Sequence, residues 1–115
     1  MAATLKLLGY VSVTDDNEHD ILLAPGAVVP VDTIYMLGLI TIAAVDPTGV
    51  GFVYHVPSGG TRDSAAIIGV VNRHGTIQTT EFIKGGVVLE EGDKLMFSGS
   101  GLTRCNVYAF GVELT

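Results

Sequence analysis

Fifteen glycines and four prolines punctuate this 115-residue chain at short intervals. Between them lie apolar, β-branched runs of strand length. That spacing leaves little room for helices and favours many short strands. The runs are Thr4 to Thr14, Ile21 to Leu23, Val28 to Val31, Thr33 to Val45, Val50 to Val56, Ser64 to Asn72, Thr76 to Ile83, Val87 to Leu89, Lys94 to Ser98 and Arg104 to Leu114. Between Tyr10 and Thr14 the polar and apolar residues alternate with a period of two. Pro30 argues for an edge position or a strand end, and Gly38 for a bend in the longest run. Ala24-Pro25-Gly26, Asp46-Pro47-Thr48-Gly49, Pro57-Ser58-Gly59-Gly60, His74-Gly75, Glu90-Glu91-Gly92-Asp93 and Gly99-Ser100-Gly101 read as turns. Asp15 to Asp20 reads as a polar loop. The expected fold is all-β: one domain over residues 1–115, built as an antiparallel sandwich of eight or nine short strands, jelly-roll or immunoglobulin-like. Residues 1–7 are an N-terminal arm that is free to order on a neighbour.

Composition narrows the function. Hydrophobic residues make up 48% of the chain and charged residues only 16%, against about 25% charged in ordinary soluble domains. No apolar run reaches the roughly 18 residues of a membrane helix, so no membrane partner is expected. The surplus apolar surface then points to a subunit interface. The net charge is −6. The six Lys and Arg are scattered singly, so nothing resembles the basic face a nucleic-acid binder needs. A single cysteine, Cys105, excludes an internal disulfide. The N-terminus lacks a signal-type segment, which implies folding in a cytoplasm.

No catalytic constellation is legible, and no cofactor or metal is expected. Gly99-Ser100-Gly101 is not a nucleophile elbow. Pro57-Ser58-Gly59-Gly60 lacks the Lys-Ser/Thr and helix of a phosphate loop. Asp16, Glu18 and Asp20 echo a calcium loop, but the glycine and the distant glutamate of an EF-hand are missing. His19, His55 and His74 lie too far apart for a zinc motif. A carbohydrate-binding jelly roll stays open through Tyr10, Tyr35, Tyr54 and Tyr108 and the acidic loop, although there is no tryptophan to stack on a sugar.

A two-layer sandwich hides one face of each strand and wets the other, so its strands should alternate. Two strands do not. On the longest run, Ile34, Met36, Ile40 and Ile42 share one face, and Tyr35, Leu37, Leu39 and Val45 the other. On the last, Tyr108, Phe110, Val112 and Leu114 share one face, and Cys105, Val107 and Ala109 the opposite one. An extra apolar face marks an interface. The expected interface residues are Tyr35, Leu37, Leu39, Cys105, Val107 and Ala109.

The closing segment carries a resemblance. Val87-Val88-Leu89-Glu90-Glu91-Gly92-Asp93-Lys94-Leu95, then Ser98-Gly99-Ser100-Gly101, then Asn106-Val107-Tyr108-Ala109-Phe110-Gly111-Val112-Glu113-Leu114 resembles the end of small all-β structural proteins of tailed bacteriophage virions. Ala24-Pro25-Gly26 before a long apolar strand is similar in plan, though the family's order is Val-Pro-Ala-Gly. The resemblance implies a non-enzymatic virion protein. It implies a capsid cement or decoration protein that pairs with itself as a homo-oligomer, a trimer among the options, and with the major capsid protein. A tail, neck or fibre adaptor is the alternative within the same resemblance.

Overall fold

A computed structural model describes residues 3–44, 48–60, 66–73, 79–84, 86–102 and 104–115, with the backbone alone for 73 and 79–84. The expected turn at Asp46-Pro47 and that at His74-Gly75 lie outside the described residues, as do Val45 and the first two residues of the expected arm.

Nine strands are described, in order: β1 (Ala3–Val13), β2 (His19–Asp20), β3 (Ile34–Ala44), β4 (Gly49–Val56), β5 (Ile67–Arg73), β6 (Thr79–Lys84), β7 (Val88–Leu89), β8 (Lys94–Ser100) and β9 (Cys105–Leu114). Pro25–Ala27 forms a 3-10 turn. There Gly26 supplies a φ of 72°, the left-handed conformation that the sequence places beside Pro25. No helix is long and apolar enough to cross a membrane, which says nothing of a β-barrel. The expected strand at Val28 to Val31 is instead an irregular segment. Its Val29 is buried and trades backbone hydrogen bonds with the 92–93 turn. The expected loop at 15–20 ends in the short β2.

The first sheet runs β1-β9-β3-β6, with β7 on the same side of β3 as β6; the second runs β2-β8-β4-β5. Every pairing is antiparallel. The pairs nest: β1 with β9, β2 with β8, β3 with β6 and β7, β4 with β5. The chain is thus one long hairpin, with β4 and β5 at its apex, rolled into two layers. That is a jelly roll. In an immunoglobulin-type sandwich the first strand neighbours the second; here it neighbours the last. Residues 3–7 of the expected arm belong to β1 and ladder onto residues 110–114 of β9.

The core lies between the sheets. Leu8, Ile40, Ile42 and Val107 of the first sheet meet Val53, Leu95 and Phe97 of the second, all essentially inaccessible to water. Each such side chain contributes about 1.5–3 kcal/mol by leaving water.

Two bulges decide which residues join this core. In β1 the register with β9 shifts between Leu7 and Gly9; in β3 it shifts between Leu37 and Leu39. Leu8 and Gly38 are the inserted residues. Both shifts fall opposite the same stretch of β9, Ala109 to Gly111. A bulge inverts the side-chain parity of the residues beyond it. Tyr35 and Leu37 therefore point inward before Gly38, and Ile40, Ile42 and Ala44 after it. The inward set of the longest strand thus takes Tyr35 and Leu37 from one of the sequence's two faces and Ile40 and Ile42 from the other, and leaves Ile34, Met36 and Leu39 outside.

Candidate functional site

Register across the first sheet lines up its outward side chains in five rows. Tyr108 of β9 stands between Tyr10 of β1 and Thr41 of β3. Phe110 stands between Leu7 and Leu39, and beyond Leu39 this row reaches the backbone of Lys84 at the end of β6. Val112 stands between Leu5 and Met36, and Val88 of β7 continues that row beyond Met36. Leu114 lies between Ala3 and Ile34, and Asn106 between Ser12 and Ala43. No described side chain of these rows carries a charge. Leu5 is 79% exposed, and Leu7, Tyr10, Met36, Val88 and Phe110 are each more than a third exposed. The rings of Tyr10 and Tyr108 lie 5.0 Å apart, and those of Tyr108 and Phe110 are nearly parallel at 6.4 Å. Contiguous exposed apolar surface of this breadth marks an interaction site.

The expected interface residues fall mostly elsewhere. Tyr35, Leu37, Cys105, Val107 and Ala109 face the second sheet and are buried in this chain's own core. Leu39 alone of the six lies on the outward face, half-buried. Of the two apolar faces of β9, the structure turns the one with Cys105, Val107 and Ala109 inward. It leaves Tyr108, Phe110, Val112 and Leu114 outside. The sequence held a usable signal. The small residues of β9 (Ala109 and Gly111) sit on one side and the aromatic ones on the other. Small residues belong where another layer approaches: a methyl group at Gly111 would lie 2.9 Å from Leu8 Cδ1 and collide with the Met36 carbonyl oxygen.

Several polar side chains among the described residues hold turns. The Asp93 carboxylate is buried and accepts from the backbone N–H of Ser58 and of Glu90, each at 2.9 Å, and from Nε2 of His55 at 2.8 Å. Burial pushes its carboxyl upward. The hydrogen bonds from His55, Glu90 and Ser58, with the attraction of His55, outweigh that and leave it below the usual carboxylate value. Two turns of the loop end, 57–60 and 90–93, are thereby tied to one side chain. In the acidic loop, Asp15 Oδ1 accepts from the Asn17 N–H and lies 2.8 Å from His19 Nε2, and Asp16 accepts from the Gly101 N–H. The Asn17 N–H is the main reason the Asp15 carboxyl also sits below its ordinary value. Tyr35 and Tyr54 are buried, so of the four tyrosines only Tyr10 and Tyr108 reach the outer face of the first sheet.

No protein-family model matches this chain, and no curated protein matches it. Among solved structures it is similar to a chain of the virus-like particle of extra small virus from the giant freshwater prawn Macrobrachium rosenbergii, at 7% identity over 98% of this chain and 79% of that one, with a TM-score of 0.49. It is similar to a chain of the disulfide-linked pili of Bacillus endospore appendages, at 11% identity over 99% and 87%, with a TM-score of 0.47. It is also similar to the coat protein of Tobacco streak virus, at 14% identity over 97% and 83%, with a TM-score of 0.47. Likenesses of this size assign no function to this chain.

Proposed function

We propose that this protein is a non-enzymatic structural component of a tailed-bacteriophage virion, a capsid cement or decoration protein that forms a homo-oligomer and stabilises the shell of major capsid protein. The observation that carries the reading is the apolar outer face of the first sheet, whose described side chains carry no charge. A chain of net charge −6 that stays folded alone gains nothing by keeping the apolar side chains of these rows in water. It gains about 25 cal/mol for each Å2 of that surface covered. An assembly repeats the gain at every symmetry-related contact. The sequence resemblance to virion proteins supports the same reading. Its residues map to β7, the 90–93 turn, β8 and β9, and β9 is the central strand of the apolar face.

The test is reconstitution. Purified protein is expected to bind expanded phage shells that lack it and to raise the temperature at which they break. Its copy number should be comparable to that of the major capsid protein. Binding confined to a tail or neck vertex, at a few copies per particle, would replace cement with the adaptor reading. Absence of binding to any particle part would sink both.

A further inference from the structure

We infer that the outer face of the first sheet is covered by the same face of a second copy of this chain, in a two-fold, sheet-on-sheet dimer. This rests on the reading of that face as an assembly surface and names its occupant.

Three observations point to a second copy. The first is charge. Two chains of net charge −6 repel one another, so contact between copies is favourable only where charge is absent. The described side chains of the first sheet's outer rows meet that condition. The outer side of the second sheet does not, since Asp20 and Lys94 flank Met96 there. A basic partner or a nucleic acid would be recognised through carboxylates or a basic patch, and the described rows present neither.

The second is area. The three lanes β1, β9 and β3, about 4.8 Å apart, with five outward rows about 6.8 Å apart, span roughly 500 Å2 in projection, which meets the about 500 Å2 per partner that a biological interface must clear. A patch much smaller would not hold a dimer.

The third is arrangement. Phe110 lies in the middle row of the central strand, between Leu7 and Leu39, with polar Ser12 and Asn106 at one margin. An aromatic anchor inside an apolar ring with a polar margin is how binding energy concentrates at interfaces. A two-fold axis near Phe110 would bring each anchor onto its partner's face, the isologous contact in which like meets like. Two sheets pack about 10 Å apart, as in a sandwich.

The experiment is light scattering or sedimentation equilibrium on the full chain without shells. The wild type should read twice the 12.0 kDa of one chain. Phe110→Asp and Leu5→Asp should each read one chain at the same concentration, with unchanged far-UV circular dichroism. Val70→Asp, on an exposed residue of the second sheet, should remain a dimer. If Phe110→Asp does not fold, the Leu5→Asp result decides. A wild-type monomer at high micromolar concentration overturns the inference. So does a three-fold or other odd-numbered ring, or an oligomer that both face variants leave intact. The two readings fail separately: a monomer that still binds shells removes the dimer and keeps the cement function, whereas a dimer that ignores every particle does the reverse.

Discussion

Nε2 of His55 lies 2.8 Å from Oδ2 of Asp93, although 38 residues separate them in the chain. Asp93 is held ionised by this contact and by two backbone N–H groups, and its pKa is lowered from 3.8. A carboxylate with a depressed folded-state pKa contributes stability that is fully present above its unfolded value and lost as pH falls through the folded value. Denaturant stability should therefore drop below about pH 3.8 in the wild type. Asp93→Asn should remove part of that acid limb and lower stability at neutral pH by about 2–4 kcal/mol, because buried donors lose a charged acceptor. Urea midpoints measured across pH check both. An acid limb unchanged in the variant would mean that other carboxylates set it.

Gly111 faces inward from β9 between Lys6 and Leu37, opposite both bulged strands. A Cβ there would meet the Leu8 side chain and the backbone of β3. Gly111→Ala should cost about 1–3 kcal/mol by overpacking. It should leave the dimer contact intact once folded, since the outward neighbours are untouched. Thermal unfolding and light scattering of the same sample separate the two effects.

Val107 is fully buried, at 0% exposure. Val107→Asp places an unpaired charge in the core and should cost at least about 3–5 kcal/mol, enough to unfold much of the protein. Loss of assembly in this variant would follow loss of fold. Phe110→Asp is the contrasting case, losing association with the fold kept. Circular dichroism of the pair tells core from interface. A well-folded Val107→Asp protein would contradict the inward orientation of that side of β9.

Cys105 is the chain's single cysteine, and it is buried at the start of β9. Thiol reagents should label it only as fast as the protein opens. Labelling should therefore accelerate with denaturant in parallel with unfolding, and fast stoichiometric labelling of the native protein would refute the burial.

The turn at 90–93 was legible because its chemistry is local, whereas Gly99 and Ser100, expected in a turn, belong to β8 and pair with Gly51 and Val50. Gly92 has a φ of 83°, and Asp93 donates its N–H to the Glu90 carbonyl, as the Glu-Glu-Gly-Asp pattern implies. The bend expected at Gly38 is a bulge. The interface was harder to read because alternation along a single strand names two faces without saying which is inside. Cys105, Val107 and Ala109 are as apolar as Tyr108, Phe110 and Val112, and only the second sheet, with Phe97 and Leu95, distinguishes them. His55 and Asp93 likewise gave no sign of their contact in the sequence, because nothing local brings a residue of β4 to the 90–93 turn.

By itself, then, the sequence determined an all-β chain, most of its strand positions to within a few residues, the turns at 57–60 and 90–93, and an excess of apolar faces over what one core can bury. Those properties come from glycine and proline placement, β-branched content and side-chain period, all of which act over a few residues. The tertiary structure decided which face is free. Two bulges opposite the same stretch of β9 turn Leu8 inward and reset the parity of β3. As a result Leu5, Leu7, Phe110 and Met36 meet on one surface. A one-residue register shift inverts every side chain beyond it, and such a shift is set by pairing between strands that lie far apart in the chain.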